Sequence, residues 1–189
     1  DALRRGFEAA VEAAGQIDVL VNNGLGAEDK DLTEISFEEF ARQQVNNAGY
    51  FELARLLHDH AVQRGAPASV INLGSLYGQV GSYPDAYEGI CSASSVAHHS
   101  LKGGTIQMTR HLAVYWARDK VRVNCLSPGA FPNMSGAPAA LVKRLEGKCP
   151  MGRMGEPTEL KGAIVFLASD ASSYMTGQNL TIDGGWTAW

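Results

Sequence analysis

The chain predicts an α/β fold, a doubly wound parallel sheet with helices on both faces. Stretches that are apolar at nearly every position (IDVLVNN at 17–23, SVINL at 69–73, VRVNCL at 121–126) alternate with longer ones whose apolar residues recur at helical spacing. Strands apolar on both faces belong in a sheet covered on both sides, and parallel strands need crossovers long enough to hold a helix.

The elements follow in order. Leu3, Phe7, Ala10, Val11 and Ala14 keep helical spacing over 2–14, and Gly15 ends the run before the buried strand in IDVLVNN. Ser36 stands three residues before Glu39, a capping box opening a long helix with Val45, Phe51, Leu53, Leu56 and Leu57 on its apolar side. SVINL is the next strand. The segment AHHSLKGG at 97–104 runs on into Ile106, Met108, Leu112 and Val114 as a helix, and VRVNCL returns as a strand. A loop rich in Pro, Gly and Ser (127–138) leads to helices near 138–147 and 157–168, and QNLTID closes as a strand. No repeat or low-complexity tract divides the chain, so 1–189 reads as one domain.

Composition bounds the function. With 189 residues, 45% apolar and 19% charged, the chain can bury a substantial core. Sixteen Lys and Arg against 20 Asp and Glu give a net charge of -4 without a basic cluster, which argues against nucleic acid or an anionic membrane as partner. Cys91, Cys125 and Cys149 are far apart, with neither zinc-ligand spacing nor a disulfide framework, so no metal site is expected. Asn133-Met-Ser135 and Asn179-Leu-Thr181 match the glycosylation pattern, a frequent chance match. No signal peptide and no apolar run of membrane-spanning length is present, and a cytoplasmic protein with reduced thiols is expected.

Ligands of open parallel sheets bind beyond the carboxyl ends of the strands. Polar and small residues gather there: Asn22, Asn23 and Gly24 after the first strand, Gly74 and Ser75 after the second, Ser127, Pro128 and Gly129 after the third. His98 and Lys102, four residues apart, share one helix face. Taken singly, Ser75 reads as a turn serine and Lys102 as a solvated lysine. Their place in an ordered series of motifs changes that reading.

The series is IDVLVNNG, VINLGS, HHSLK, LAVYWARDKVRVNCLSPG, MGRMGEP and FLASDASSYMTGQNLTIDGG. Over essentially its whole length the chain resembles the short-chain dehydrogenase/reductase family. The resemblance implies a Rossmann-like domain that binds NAD or NADP and interconverts a secondary alcohol and a ketone through a Ser, a Tyr, a Lys four residues later and an Asn on the preceding helix. Carried over by position, Ser75 orients the substrate, Lys102 is the lysine and Asn46 holds a proton-relay water. Asn23 and Gly24 line the cofactor turn, Lys102 also meets the cofactor, and Pro128, Gly129 and Phe131 lie beside the nicotinamide. The family string NNAG occurs at Asn46–Gly49 inside the long helix, so the cofactor turn is assigned by context to Asn22–Gly24.

Two departures qualify this. The family's tyrosine falls on His98. Imidazole titrates near 6.5 against about 10 for phenol, and the Lys102 ammonium lowers it further, so His98 is expected to be neutral with one N–H to donate. Tyr87 follows Ser75 by 12 residues, but Cys91 stands where its lysine should be. Residues 82–97 therefore read as an insertion, similar to one in a subgroup of nonulosonic-acid and flagellin-glycan enzymes, in which a YEG like Tyr87–Gly89 precedes the active tyrosine. Second, the chain starts in a helix that the family places after its third strand, so the first βαβαβ half, with its glycine-rich turn and cofactor-selecting residue, is lacking. IDVLVN then becomes an exposed sheet edge, to be covered by an earlier part of a longer polypeptide or by another chain.

By resemblance the long helix from Ser36 and the helix after His98 form a dimer face, and the last strand a tetramer contact, so a homodimer or homotetramer is expected. The substrate-shaping loops are 82–97 and 127–150. A catalytically impaired scaffold or assembly subunit is the alternative to an active oxidoreductase. His99 is expected to face solvent or a partner helix, and Asp183 to serve turn chemistry before Gly184 and Gly185.

Overall fold

A computed structural model describes residues 2–26, 30–132 and 136–188; Asn133 and Ser135 of the first glycosylation match lie outside them. The elements run α1 (Ala2–Ala14), β1 (Val19–Asn22), α2 (Phe37–Arg64), β2 (Ala68–Leu73), α3 (Pro84–Tyr87), α4 (Val96–Trp116), β3 (Val121–Pro128), α5 (Ala139–Glu146), α6 (Lys161–Ala168) and β4 (Asn179–Ile182). Among the described residues the sheet has four strands in the order β1-β2-β3-β4, all parallel.

The predicted capping box is formed. Ser36 Oγ accepts from the Glu39 N–H at 3.2 Å and the Glu39 carboxylate accepts from the Ser36 N–H at 2.9 Å. Lys30 and those Ser36 bonds hold the Glu39 carboxyl down at about 2. Gly65, at φ 64, closes α2 in the left-handed conformation that a glycine adopts without strain.

Alternation along the strands divides the core between two faces. Val70, Val121 and Val123 face α2 and α4, where Ala54, Leu57, Ala61, Leu112 and Ala113 complete a cluster reached by Phe7 of α1. Ile71 and Leu126 face the other way, onto Ala163 and Leu167 of α6. A third cluster gathers Leu76, Ala86, Val142, Leu145, Cys149, Met154 and Trp186.

As expected, β1 is the edge strand, and Val19 and Val21 are 38% and 41% exposed, because the described residues pair it on one side alone. Two expectations change in detail. The helix near 157–168 is a 3-10 turn, Pro157–Leu160, followed by α6. The 82–97 segment is ordered into α3 and its last two residues already belong to α4.

Leu57 is fully buried between α2 and the sheet. Leu57→Ala is expected to lower the urea-unfolding free energy by about 2–5 kcal/mol, the usual cost of a Leu-sized core cavity.

Candidate active site

Parallel pairing brings the carboxyl ends of all four strands, Asn22, Leu73, Pro128 and Ile182, to one rim. The rim is tied to the helices by buried polar side chains. Asn22 Nδ2 donates to the Tyr50 carbonyl at 3.1 Å and to Asn72 Oδ1 at 2.9 Å, and Asn72 Nδ2 donates to Thr109 Oγ1 at 2.9 Å. On α4, Thr105 Oγ1 donates to Asn47 Oδ1 at 2.7 Å, and Asn47 Nδ2 donates to the Leu101 carbonyl at 2.9 Å. Breaking any of these bonds would leave a further polar group unpaired in a dry interior, so the contacts fix the seat of α2 and α4 on the strand ends.

Lys102 is one of the consequences. It is 4% exposed, contrary to the solvated reading of the isolated residue, and its Nζ donates to the Leu73 carbonyl at 2.6 Å. The Tyr50 ring centroid lies 5.7 Å from the ammonium. Burial pulls the Lys102 pKa down to about 8. Burial likewise raises the neighbouring Cys125 thiol to about 11 and the Tyr50 phenol to about 12, so both are neutral at pH 7.

The Ser75 turn packs directly on this lysine. A Cβ at Gly78 would sit 2.7 Å from the Lys102 carbonyl carbon and oxygen, and one at Gly74 would sit 2.5 Å from Ser127 Oγ. Only glycine permits these approaches. Ser75 itself caps the 3-10 turn Leu76–Gly78, its Oγ accepting from the Tyr77 N–H at 3.1 Å. Asn23 and Gly24 are exposed at the end of β1. Gly129, after β3, is pressed against Asp183 with no room for a side chain, and the Phe131 ring covers Gly155.

His98 opens α4 one turn before Lys102 and is half-buried. Burial first, then the Lys102 and His99 charges, lower its pKa to about 4, so the imidazole is neutral at pH 7, as expected from the sequence. It faces a cleft of about 530 Å³ shared with Leu25, Gln43, Tyr87, Ser95 and Leu141.

Several neighbours stand differently from, or beyond, the sequence reading. His99 is half-buried rather than facing solvent: its Nδ1 meets the Ser95 carbonyl at 2.9 Å, its Nε2 is buried without a hydrogen-bond partner within the chain, and its ring lies 4.7 Å from that of Tyr77. Asn46 turns toward the β1 loop, accepting from the Gly26 N–H at 3.0 Å and donating to the Gln43 carbonyl at 2.7 Å. Asn47, which sequence reasoning passed over as part of the misplaced NNAG string, joins α2 to α4, as does Gln44, whose Nε2 donates to the Ala97 carbonyl at 3.0 Å. Asp183 does serve turn chemistry, its carboxylate accepting from the Gly185 and Thr187 N–H groups at 2.9 and 2.8 Å. Tyr77 and Asn72 were also missed; the one available signal was Asn72, a lone amide inside an apolar strand.

Comparison with known proteins agrees with this geometry. A family model described as enoyl-(acyl carrier protein) reductase matches residues 1–187. A galactitol 2-dehydrogenase (L-tagatose-forming) from Cereibacter sphaeroides is 38% identical over 187 residues, covering 96% of this chain and 70% of that protein. A short-chain dehydrogenase from Leptospira borgpetersenii, solved with bound NAD+, superposes with a TM-score of 0.88 at 32% identity over 98% of this chain and 70% of its own. This chain is a short-chain dehydrogenase/reductase.

Within that family of oxidoreductases the four-stranded sheet is a Rossmann-like one. A gluconate 5-dehydrogenase from Burkholderia cenocepacia, solved with NADP and tartrate, has the same fold at a TM-score of 0.85 and 28% identity, over 99% of this chain and 71% of its own. Among the described residues of this short-chain dehydrogenase/reductase, no group of His, Cys, Asp and Glu could hold a metal ion, and no helix is long and apolar enough to cross a membrane.

Between the native Lys102 value of about 8 and the ordinary 10.5, the unfolded chain holds this proton more tightly than the folded one. Native stability therefore rises with pH across that window. A Lys102→Met variant lacks this contribution, so urea midpoints of parent and variant should diverge in the parent's favour as pH goes from 8 to 10.5. A pH-independent difference would show that Lys102 is not depressed in the native state.

Proposed function

We propose that the protein is an NAD- or NADP-dependent oxidoreductase interconverting a secondary alcohol and a ketone, and that its chemistry takes place at the strand-end rim. The observation that carries this reading is the buried Lys102 ammonium held on the Leu73 carbonyl beside the Ser75 turn.

The rim suits the nicotinamide end of such a cofactor. A fixed cation stands there, and Gly74 and Gly129 let the loops after β2 and β3 pack tightly against Ser127 and Asp183, which sets the shape of the rim. Asn23, Gly24, Lys102, Pro128, Gly129 and Phe131 would hold it. When bound, the nicotinamide supplies or takes up the hydride. The chain's residues do the rest: Ser75 orients the substrate oxygen, Lys102 stabilises negative charge developing at the rim, and the neutral His98 can donate its N–H toward a carbonyl oxygen. Asn46, bonded to the β1 loop, would support that loop beside the cofactor and could share a relay water.

The cleft beside His98 is lined by the amide of Gln43, hydroxyls of Tyr87 and serines 92, 94 and 95, and two leucines, with no Lys, Arg, Asp or Glu among its described residues. That lining favours an uncharged, hydroxyl-bearing substrate, in keeping with the galactitol 2-dehydrogenase relative. Exposed apolar side chains on α2 and α4, Val45 at 65%, Val114 at 77% and Tyr115 at 67%, support assembly into a homodimer or homotetramer. Three free thiols are in keeping with a cytoplasmic location.

The residue that favours the second reading, a catalytically impaired scaffold, is His98. A His98→Tyr variant is expected to raise nicotinamide-dependent ketone reduction about 10- to 100-fold, while Lys102→Ala lowers it about 100-fold, within the range for acid–base groups. Both are read in a spectrophotometric assay; absence of turnover in parent and His98→Tyr alike would leave the scaffold reading standing.

A further inference from the structure

The segment 82–97 brings a phenol, Tyr87, to the cleft that His98 faces. α3 is pinned from outside: one Arg144 Nη donates to the carbonyls of Asp85, Ala86 and Glu88 at 3.1, 3.4 and 2.7 Å, and Lys148 pairs with the Asp85 carboxylate at 2.7 Å. Ala86 is fully buried in the cluster with Val142 and Leu145 of α5. Tyr87, next in sequence, therefore cannot swing freely, and it lines the cleft together with His98. Its hydroxyl lies 2.6 Å from that of Tyr77. The Tyr77 ring in turn lies against His99 and presents an edge-on contact to His98 at 6.5 Å. Fixed attachment, access to the cleft and a hydroxyl partner are what a proton-transferring phenol needs.

We propose that Tyr87 gives the proton to the substrate oxygen in the reductive direction, and that Tyr77 is a positioning residue that holds its hydroxyl. The inference rests on the oxidoreductase reading and assigns the proton step to a residue outside the usual tyrosine position. The carbonyl carbon gains a hydride, with its two electrons, from the reduced nicotinamide as the C=O π bond breaks. The electron pair left on oxygen takes the Tyr87 proton, the phenolic O–H bond breaks, and the phenolate is reprotonated from solvent in the open cleft. His98 supplies a hydrogen bond and no net proton.

The electrostatics agree. Burial raises Tyr87 above the ordinary phenol range, its bond to Tyr77 lowers it, and Cys91 raises it again. Tyr77 is raised by burial and further by the same bond, so it stays protonated and is able to donate to the Tyr87 oxygen once that gives up its proton; in the resting pair either hydroxyl can be the donor. His98 and Cys91 across the cleft, and the Arg144 and Lys148 cations tied to α3, are the other titratable groups around the phenol. A phenol that stays protonated at neutral pH is ready to protonate the oxygen of a ketone as the hydride reaches its carbon. Oxidation of the alcohol needs the phenolate and is confined to alkaline pH.

The test is steady-state reduction of a neutral ketohexose by the protein with reduced nicotinamide, across pH, in parent, Tyr87→Phe, Tyr77→Phe and His98→Phe. Tyr87→Phe is expected to lower kcat about 100-fold with KM little changed, and His98→Phe to cost less. Tyr77→Phe, which removes the donor to the phenolate, should move the rise of alcohol oxidation to higher pH. An active parent whose kcat survives Tyr87→Phe but is lost in His98→Phe overturns the inference and leaves the oxidoreductase reading intact. A parent that never turns over, even as His98→Tyr, overturns both.

Discussion

The rest of the site depends on a run of buried and half-buried amides and hydroxyls between the strand ends and two helices. Asn22, Asn72, Thr109, Thr105 and Asn47 bind β1, β2, α2 and α4 into one unit at the rim. Apolar packing alone would let α4 slide along the sheet at little cost, because hydrophobic contact is non-directional. Paired amides in a dry interior do not allow that, since each displaced bond leaves an unsatisfied group. The seat of α4 is thus set by direction as well as by area.

From that seat follows the chemistry of the lysine. Its long side chain ends on the Leu73 carbonyl. A carbonyl satisfies one of the ammonium's protons but brings no negative charge, so burial dominates and the proton is held less tightly. Burial, reinforced by the same ammonium one turn along the helix, keeps the His98 imidazole uncharged. One buried cation and one neutral ring in adjacent turns form an environment suited to a developing negative charge.

Much of this could be read in the sequence, and the reason is physical. Strands apolar on both faces, the Ser36–Glu39 capping box and Gly15 after α1 are local signals, and each produced its element. The rim was legible because parallel strands put their carboxyl ends together. What escaped were contacts made by folding. Asn46 and Asn47 are neighbours in the chain but point about 100° apart on a helix, so one serves the β1 loop and the other α4. His99 looked like a surface residue because the ring that covers it, Tyr77, arrives from a turn 22 residues earlier.

Gly74 and Gly78 have one more consequence. With Ser127 Oγ and the Lys102 backbone where their Cβ atoms would go, neither position can acquire a side chain without displacing main chain or strand-end groups. Innovation at this rim is barred, whether by natural drift or by directed evolution. New specificity has to be written in α3, α5 and the polar wall of the cleft, which can vary while the lysine stays where it is.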